Sequence, residues 1–310
     1  MRLTGGRDDG QGFLQANFHP SPVAFTLSAS THAAPPSSAE LAALIRLLDD
    51  ETPEVRRRVA ERIALCGGDL SEWLASSSIS LDDAGRRTLA ELLRPARRAA
   101  LRRDWLAPSG GADAMRDDWD QLEAMLRVIS DFLHDGVTIR QPLSDALDLL
   151  AEEAEAEGVS NARELRKFHF ADGRLSANQE DYDSPNNSDL AWCVEEGRSN
   201  PLGLAVIFIL VAKRLDFVVE GVNFPGHFLT RIYEDGYPII VDCFDGGQLH
   251  LQSTLLESPE LSREERDHLR RAATTGTILL RLLNNLVAAL DAAKRPDDAR
   301  LVRDLRGLLK

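Results

Sequence analysis

Cysteine is scarce in this sequence. The 310 residues contain three, Cys66, Cys193 and Cys243, and they are too few and too widely spaced for a disulfide framework or a zinc site. We therefore expect no disulfides, no bound metal and no cofactor. Because free thiols persist in reducing compartments, the sequence predicts a cytoplasmic protein.

Positive charge is also in short supply. Lysine and arginine number 36 against 50 aspartates and glutamates, which gives a net charge of −14. Nucleic-acid binding depends on basic patches that neutralise phosphates, so this balance argues against a nucleic-acid partner. The short basic clusters at residues 56–58 and 97–98 have acidic residues nearby and predict solvated helix faces.

Long hydrophobic runs are missing too. A membrane span needs about 18 consecutive apolar residues. The longest apolar stretch, residues 204–212, is shorter and suits a buried core helix. The first residues show no basic region followed by an apolar block, so we expect neither a signal peptide nor a membrane partner.

The chain divides into predicted segments, of which the first two precede the candidate site. Residues 1–38 are rich in Gly, Ser, Pro, Thr and Ala without helical periodicity, and they predict a flexible tail that ends in a serine N-cap. Residues 39–106 have apolar residues at helical spacing, with Pro53 in a first helical turn. Their string LIRLLDDETPEVRRRVAERIALCG resembles one HEAT repeat, although an ordinary helical hairpin gives the same pattern.

The remaining segments are a main domain and a terminal hairpin. Residues 115–270 predict helices capped by Ser144 and Ser160, then a polar loop, the buried helix and the strands. Residues 271–310 predict two helices joined at KRPDD, which resemble one degenerate tetratricopeptide repeat.

The stretch from Asn200 to Gly247 holds the candidate site. Asn200 is a favourable N-cap and Pro201 a favourable first residue for the apolar helix. Two or three strands follow and carry His227 and Asp242, fifteen residues apart. Both residues could instead have purely structural roles. His227 would then be a buried histidine whose ring nitrogens are hydrogen-bonded within the core, and Asp242 a strand-end residue that binds the backbone of the DCFDGG turn.

The register of the hairpin decides which side chain faces His227. A two- or four-residue loop centred between residues 234 and 235 places His227 directly opposite Asp242, whereas a loop at residues 235–236 makes them diagonal neighbours on one face. A three-residue loop instead turns Cys243 toward the histidine. The sequence leaves these registers open, and we expect the histidine and the aspartate to face each other near the helix start.

Several motifs occur in an order that resembles one branch of a known superfamily. The motif Gly-Val-Asn-Phe-Pro-Gly-His-Phe-Leu runs from Gly221 to Leu229, and an Asp-Pro-Phe motif appears as Asp-Cys-Phe from Asp242. On these motifs, residues 116–290 are similar to the SirB-type branch of the transglutaminase-like superfamily. The other matching positions are Asn178, Asp181, Tyr182, Asn187, Ser188, Leu190, residues 199–205, Arg281, Leu283, Asn285 and Leu286.

This resemblance implies an α+β fold that is mostly helical, with a small antiparallel sheet packed on a central buried helix in a transglutaminase/papain-like core. Active relatives place a cysteine at the start of that helix, where free N–H groups stabilise a thiolate. Here Pro201 holds the place, as is usual in this branch. His227 and Asp242 match the residues that deprotonate the thiol and orient the imidazole.

The chain departs from the branch at two motif positions. It has Ser199 where the branch has glycine, and Gly203 where the branch has serine. The change at Gly203 removes the only hydroxyl that we expect near the helix start. The departure therefore argues against a substitute nucleophile, while Gly203 permits another chain segment to approach closely.

Two functional hypotheses follow. The leading one is a non-catalytic protein that acts as a protein-interaction or regulatory module for a protein or peptide partner, because helical hairpins often form binding surfaces. The alternative is a thiol hydrolase or acyltransferase that uses a relocated Cys243 or Cys193 with His227 and Asp242. A metal site at His227, Asp242 and Asp245 is weaker, because one histidine beside carboxylates is common without metal. The predicted ligand groove comprises Asn178, Asp181, Tyr182, Asn187, Asn223, Cys243 and Asp245.

Overall fold

The N-terminal part of the described chain is built from helices. The computed structural model describes residues 34–171 and 173–310, so nearly all of the predicted tail at residues 1–38 lies outside it. Ser37 caps the first helix by accepting a hydrogen bond from the Glu40 N–H, and Pro53 occupies the first turn of the second, as predicted. The helices are α1 (Ser38–Ile45), α2 (Pro53–Ile63), α3 (Ser71–Ser76) and α4 (Asp83–Asp104).

These helices bury a small apolar core of their own. The apolar faces predicted for the first two helices point into it, because their residues recur at helical spacing. The buried members of this core are Leu41, Leu44, Ile45, Leu48, Val59, Ile63, Leu70, Leu89, Leu93 and Val137.

The middle helices begin at residues other than the predicted serine caps. The prediction for Ser144 is wrong: Pro142, with its extended backbone, precedes the helix, and Ser144 lies in the first turn. The prediction for Ser160 is also wrong: the Asn161 side chain caps the next helix, while Ser160 donates to the Glu164 carboxylate. The elements are α5 (Gly111–Ala114), α6 (Trp119–Leu133), α7 (Leu143–Ala156), α8 (Ala162–Arg166) and a π-helical turn (Lys167–Ala171).

A fully apolar helix forms the centre of the fold. Every residue from Pro201 to Ala212 in this helix is buried, which confirms the predicted core helix. A pair of short parallel strands, absent from the sequence prediction, lies immediately before it. The elements of this region are β1 (Ser176–Ala177), a 3₁₀ turn (Pro185–Ser188), α9 (Leu190–Glu196), β2 (Arg198–Ser199) and α10 (Pro201–Arg214).

A four-stranded antiparallel sheet packs on α10 through its first two strands. The sheet confirms the predicted α+β class, with mostly helical structure around a small antiparallel sheet. Its strands follow chain order: β3 (Glu220–Val222), β4 (Leu229–Glu234), β5 (Tyr237–Asp242) and β6 (Gln248–Leu251).

The hairpin between β4 and β5 has the diagonal register. Glu234 pairs with Tyr237, so the loop is Asp235-Gly236, and both loop residues have positive φ, 48° and 82°. Positive φ at both positions defines the two-residue turn that an Asp-Gly pair favours in hairpins. The register centred between residues 234 and 235 is therefore wrong, and so is the three-residue loop that would turn Cys243 toward His227.

The chain ends in the predicted helical hairpin, which shares the main core with α10. Buried Asp298 also ties its second helix to α4 through an ion pair of 2.5 Å to Arg98, while a second pair of 2.7 Å joins it to Arg295 at the start of its own helix. The three predicted segments 39–106, 115–270 and 271–310 thus lie within one compact unit, Pro35–Lys310. The last helices are α11 (Gln252–Glu257), α12 (Arg263–Arg270), α13 (Thr275–Ala292) and α14 (Pro296–Gly307).

We find no single membrane-spanning helix, judged by length and hydropathy, in the described part of the chain. None of these helices is by itself long and apolar enough to cross a membrane. Helices α12 and α13 have the length and composition of a membrane span only when they are taken together, and the two are bent by 120° relative to each other.

His169 is a buried polar side chain in the main core. It lies in the π-helical turn with no exposed surface, and its ring centroid is 5.8 Å from those of Phe170 and Phe208. Neither ring nitrogen has a hydrogen-bond partner among the described residues. Burial, assisted by the charge of Arg174, lowers the pKa of His169 from 6.5 to about 3.

We predict that His169 makes the fold less stable as the pH falls. The unfolded chain binds a proton at this imidazole below about pH 6.5, whereas the folded chain does so only near pH 3. Stability is therefore lost as the pH falls through that window, by about 2 kcal/mol at pH 5. The measurement is urea unfolding at pH 7 and pH 5, in which His169→Phe should lose this part of the pH dependence.

His250→Phe is the control, since it removes a partly exposed imidazole from β6. It should keep the pH dependence of the unchanged protein. Equal pH dependence in His169→Phe and the unchanged protein would contradict the prediction.

Candidate functional site

A hydrogen bond joins the two polar residues that the sequence singles out. His227 lies in the bend before β4, Asp242 ends β5, and Nε2 of the histidine is 2.8 Å from Oδ1 of the aspartate. The same oxygen accepts the backbone N–H groups of Phe244 at 3.0 Å and Asp245 at 3.1 Å. The Asp242 carboxylate therefore both stabilises the following turn and orients the imidazole.

The electrostatics of the pair favour an ionised aspartate. Burial works to raise the pKa of Asp242, but the hydrogen bond and charge of His227 and the two backbone N–H groups outweigh it and lower that pKa. About a third of the His227 side chain, 32%, is exposed. The His227 imidazole, which the Asp242 carboxylate orients, is thus partly accessible to solvent.

The start of α10 has the capped geometry that the sequence predicts. Asn200 accepts a hydrogen bond of 2.9 Å from the N–H of Gly203, and Pro201 is the first helical residue. Proline fits there because the first N–H of a helix has no intrahelical acceptor. The position supplies neither a thiol nor a hydroxyl.

The predicted polar motif before α10 forms a buried scaffold. Asn178 and Asn187 are each 2% exposed, and the Asn178 amide donates to Oδ1 of Asn187 at 3.0 Å. The Asn187 amide in turn donates to the carbonyls of Asp181 and Tyr182, both at 2.9 Å. These side chains shape the loop rather than line a groove, and they hold Tyr182 with its ring edge-on to Phe244 at 5.9 Å.

A cleft of about 150 Å³ opens beside the start of α10. Of the predicted site residues it contains Tyr182 and Pro201, and it is bordered on the β4 side by the two neighbours of His227. Asn223 lies behind it and binds Arg281 at 2.5 Å, while Cys243 is in the core. Its lining residues are Tyr182, Asp183, Ser184, Ser188, Asn200, Pro201, Leu202, Gly226, Phe228, Arg281, Asn285, Ala288 and Ala289.

Sequence reasoning missed the contribution of α13 to this cleft. Arg281 and Asn285 match positions of the resemblance motif, and that match is the signal that would have included them. Their spacing of four residues places both on one face of a helix. Only the packing of that helix against the start of α10 brings them to the site.

The thiols lie away from the histidine. Cys193 is buried and donates to Oγ of Ser199 at 3.1 Å, and buried Cys243 contacts Oγ1 of Thr230 at 3.5 Å. Burial raises the pKa of Cys193, and it raises the pKa of Cys243 to about 12. Cys66 lies in the N-terminal helical part, where burial likewise raises its pKa.

No metal site accompanies the pair within residues 34–171 and 173–310. No group of three or more histidine, cysteine, aspartate or glutamate side chains there could hold a metal ion. The side chains of His227, Asp242 and Asp245 thus do not form such a group. Asp245 instead contributes its backbone N–H to the Asp242 turn.

The comparisons with known proteins agree with this arrangement. Residues 138–284 match the profile of the Transglutaminase-like superfamily. The matched segment is slightly less than half of the chain. It contains the polar scaffold, α10, the sheet and most of the cleft, and no solved structure matches the chain.

Curated relatives match the same central region. A UPF0162 protein of Xylella fastidiosa strain Temecula1 is 38% identical over 144 residues, which are 46% of this chain and 46% of that protein. A UPF0162 protein of Pseudomonas aeruginosa is 31% identical over 115 residues, which are 36% of this chain and 42% of that protein. The chain thus spans about half the length of the curated relatives it matches, or slightly less.

The two motif departures, Ser199 and Gly203, lie in contact. A Cβ added at Gly203 would collide with Oγ of Ser199 and lie 3.0 Å from its Cβ and 3.1 Å from the Asn187 carbonyl oxygen. Ser199 Oγ donates to that same carbonyl at 3.2 Å. The expectation that the motif has no hydroxyl here is wrong, because Ser199 supplies one from the neighbouring strand. That hydroxyl is fully buried.

We predict that positions 199 and 203 are energetically coupled. Gly203→Ser alone should lower the free energy of unfolding by about 2 kcal/mol, because the added atoms overpack the contact with Ser199. Ser199→Gly alone should cost about 1 kcal/mol through the lost hydrogen bond. The double exchange should be more stable than the sum of the two losses, since glycine at 199 makes room for serine at 203.

Urea unfolding of the four proteins measures this coupling as a double-mutant cycle. Gly307→Ser is a control for adding a side chain at a helical glycine whose surroundings are open and whose φ is not positive. If the losses in free energy of unfolding at 199 and 203 are strictly additive, the two side chains do not compete for the same volume.

Proposed function

We propose that the transglutaminase-like domain is a non-catalytic binding module for a protein or peptide partner. The observation that carries the proposal is Pro201 at the start of α10, in a cleft that is also lined by Gly226 and Phe228, the two neighbours of the oriented His227. Catalysis by a Cys–His–Asp set needs a thiolate next to the base, and proline offers no nucleophile. The cleft and the pair remain as a shaped, partly charged binding surface.

The buried thiols support this proposal over a relocated nucleophile. A catalytic cysteine combines partial exposure with a lowered pKa. Cys193 and Cys243 are buried, and both have raised pKa values. Their hydrogen-bond partners are the backbone carbonyl of Asn186 and the hydroxyls of Ser199 and Thr230.

The helical segments around the domain fit the same proposal. We assign the domain to the SirB-type branch, treat residues 39–106 as HEAT-like and residues 271–310 as tetratricopeptide-like, and infer that these hairpins widen the binding surface. The charge of −14 favours a partner other than nucleic acid. The scarcity of cysteine supports a cytoplasmic location.

We predict that no thiol of the folded protein shows enzyme-like reactivity. Iodoacetamide labelling at pH 6.5, about two units below an ordinary thiol pKa of roughly 8.5, should modify Cys193 and Cys243 only slowly. Labelling in denaturant should be much faster, because unfolding exposes the sulfurs. Mass spectrometry of the labelled peptides gives the rate for each cysteine.

His227→Ala is the matched variant, and it should leave all three labelling rates unchanged. Rapid labelling of Cys193 or Cys243 that disappears in His227→Ala would replace the proposal with the alternative, a thiol hydrolase or acyltransferase.

A further inference from the structure

Arg281 is a half-buried cation whose protein partners are all neutral. Its Nη1 donates to Oδ1 of Asn223 at 2.5 Å and to the carbonyl oxygen of Phe224 at 2.8 Å. Its guanidinium carbon stands 5.4 Å from the centroid of the Phe228 ring. Burial lowers the pKa of Arg281, since no carboxylate offsets the loss of hydration.

Several other arginines that are shielded from water are paired with carboxylates. Guanidinium groups taken out of water are usually paired with carboxylates, because an unpaired buried charge is costly. Arg97 donates to two backbone carbonyls and is not among the residues that line the cleft. The paired cases are Arg98–Asp298, Arg140–Asp189, Arg214–Glu123 and Arg231–Glu220.

Unused donors of Arg281 border the cleft. Both protein bonds come from Nη1, so Nε and Nη2 bond no acceptor in the described part of the chain. These two nitrogens form the planar edge that grips both oxygens of a carboxylate. The cleft around it also has small apolar walls at Pro201, Ala288 and Ala289 and an amide at Asn285.

The charges select a monoanion. One guanidinium balances one negative charge, and Asp183, which also lines the cleft, repels a second one. A carboxylate therefore fits better than a phosphate dianion. The rim residue Tyr182 is 47% exposed, so a chain attached to the carboxylate can leave the cleft on that side.

We propose that this cleft binds the C-terminal carboxylate of a peptide that ends in small apolar residues, with Arg281 as its bidentate partner. The proposal rests on the binding function given above and names its ligand class. The carboxylate takes the place of the missing acidic partner, and the apolar walls take the terminal side chain. Recognition then depends on the free C-terminus rather than on the body of the peptide.

The probe is the dipeptide acetyl-Ala-Ala with a free carboxylate, titrated into the full chain and followed by the amide NMR signals of Gly226 and Ala289. The matched probe is the same dipeptide with a C-terminal amide. We expect saturable shifts with the acid and at least about tenfold weaker binding with the amide, because a charge-assisted bidentate contact is lost.

Variants separate recognition from folding. Arg281→Met keeps an apolar stem over Phe228 and should weaken binding of the acid at least about tenfold. Ala288→Phe should block the cleft from an exposed position on α13 while the bonds of Arg281 stay intact. Arg303→Met is the control, since it removes one positive charge from an exposed arginine on α14, and it should bind like the unchanged protein.

The outcomes distinguish this inference from the function on which it rests. Equal binding of acid and amide, or full binding by Arg281→Met, would overturn the carboxylate assignment and leave the binding cleft standing. Binding of inorganic phosphate but not of the dipeptide acid would overturn it as well. Failure of the proposed function would instead appear as His227-dependent thiol labelling, whatever the dipeptide does.

Discussion

The burial of α10 is the constraint on which the rest of the structure depends. A helix that is apolar on every side is stable only when other elements enclose it completely. Helices α7, α8 and α9 and strands β3 and β4 all pack on it, and α13 belongs to the same core. Burial also requires that its first N–H groups find acceptors, and the Asn200 side chain meets part of that need at Gly203.

The candidate site follows from this enclosure. Because β4 packs on α10, the bend before β4 places Gly226 and Phe228, the neighbours of His227, in the cleft beside the start of the helix. The Asp235-Gly236 turn then returns the chain so that Asp242 ends beside the histidine. Asp242 also accepts two backbone N–H groups of the next turn, so the pair is part of the framework of the sheet as well as a chemical group.

The site combines an oriented imidazole with a helix start that carries no thiol. An imidazole held by a carboxylate remains a hydrogen-bonding and charged surface even when no thiol stands beside it. The cleft next to it adds a cation, Arg281, whose charge the protein leaves uncompensated. Under the proposed function, a proline in place of a thiol and the unused donor edge of Arg281 together suit a site that holds a chain end. The fold alone does not determine the function of this site, since one fold hosts many functions.

The sequence by itself determined the local features of this protein. The apolar run predicts a buried helix, and Asn200 and Pro201 mark its start. The Asp235-Gly236 pair favours a two-residue turn. Motif order singled out His227 and Asp242 and indicated the resemblance to the transglutaminase-like superfamily. Only the tertiary structure decided the hairpin register, the burial of Cys193 and Cys243, and the entry of Arg281 into the cleft. These depend on contacts between residues far apart in sequence, such as the 58 residues that separate Arg281 from Asn223, and no local pattern records which distant surfaces meet.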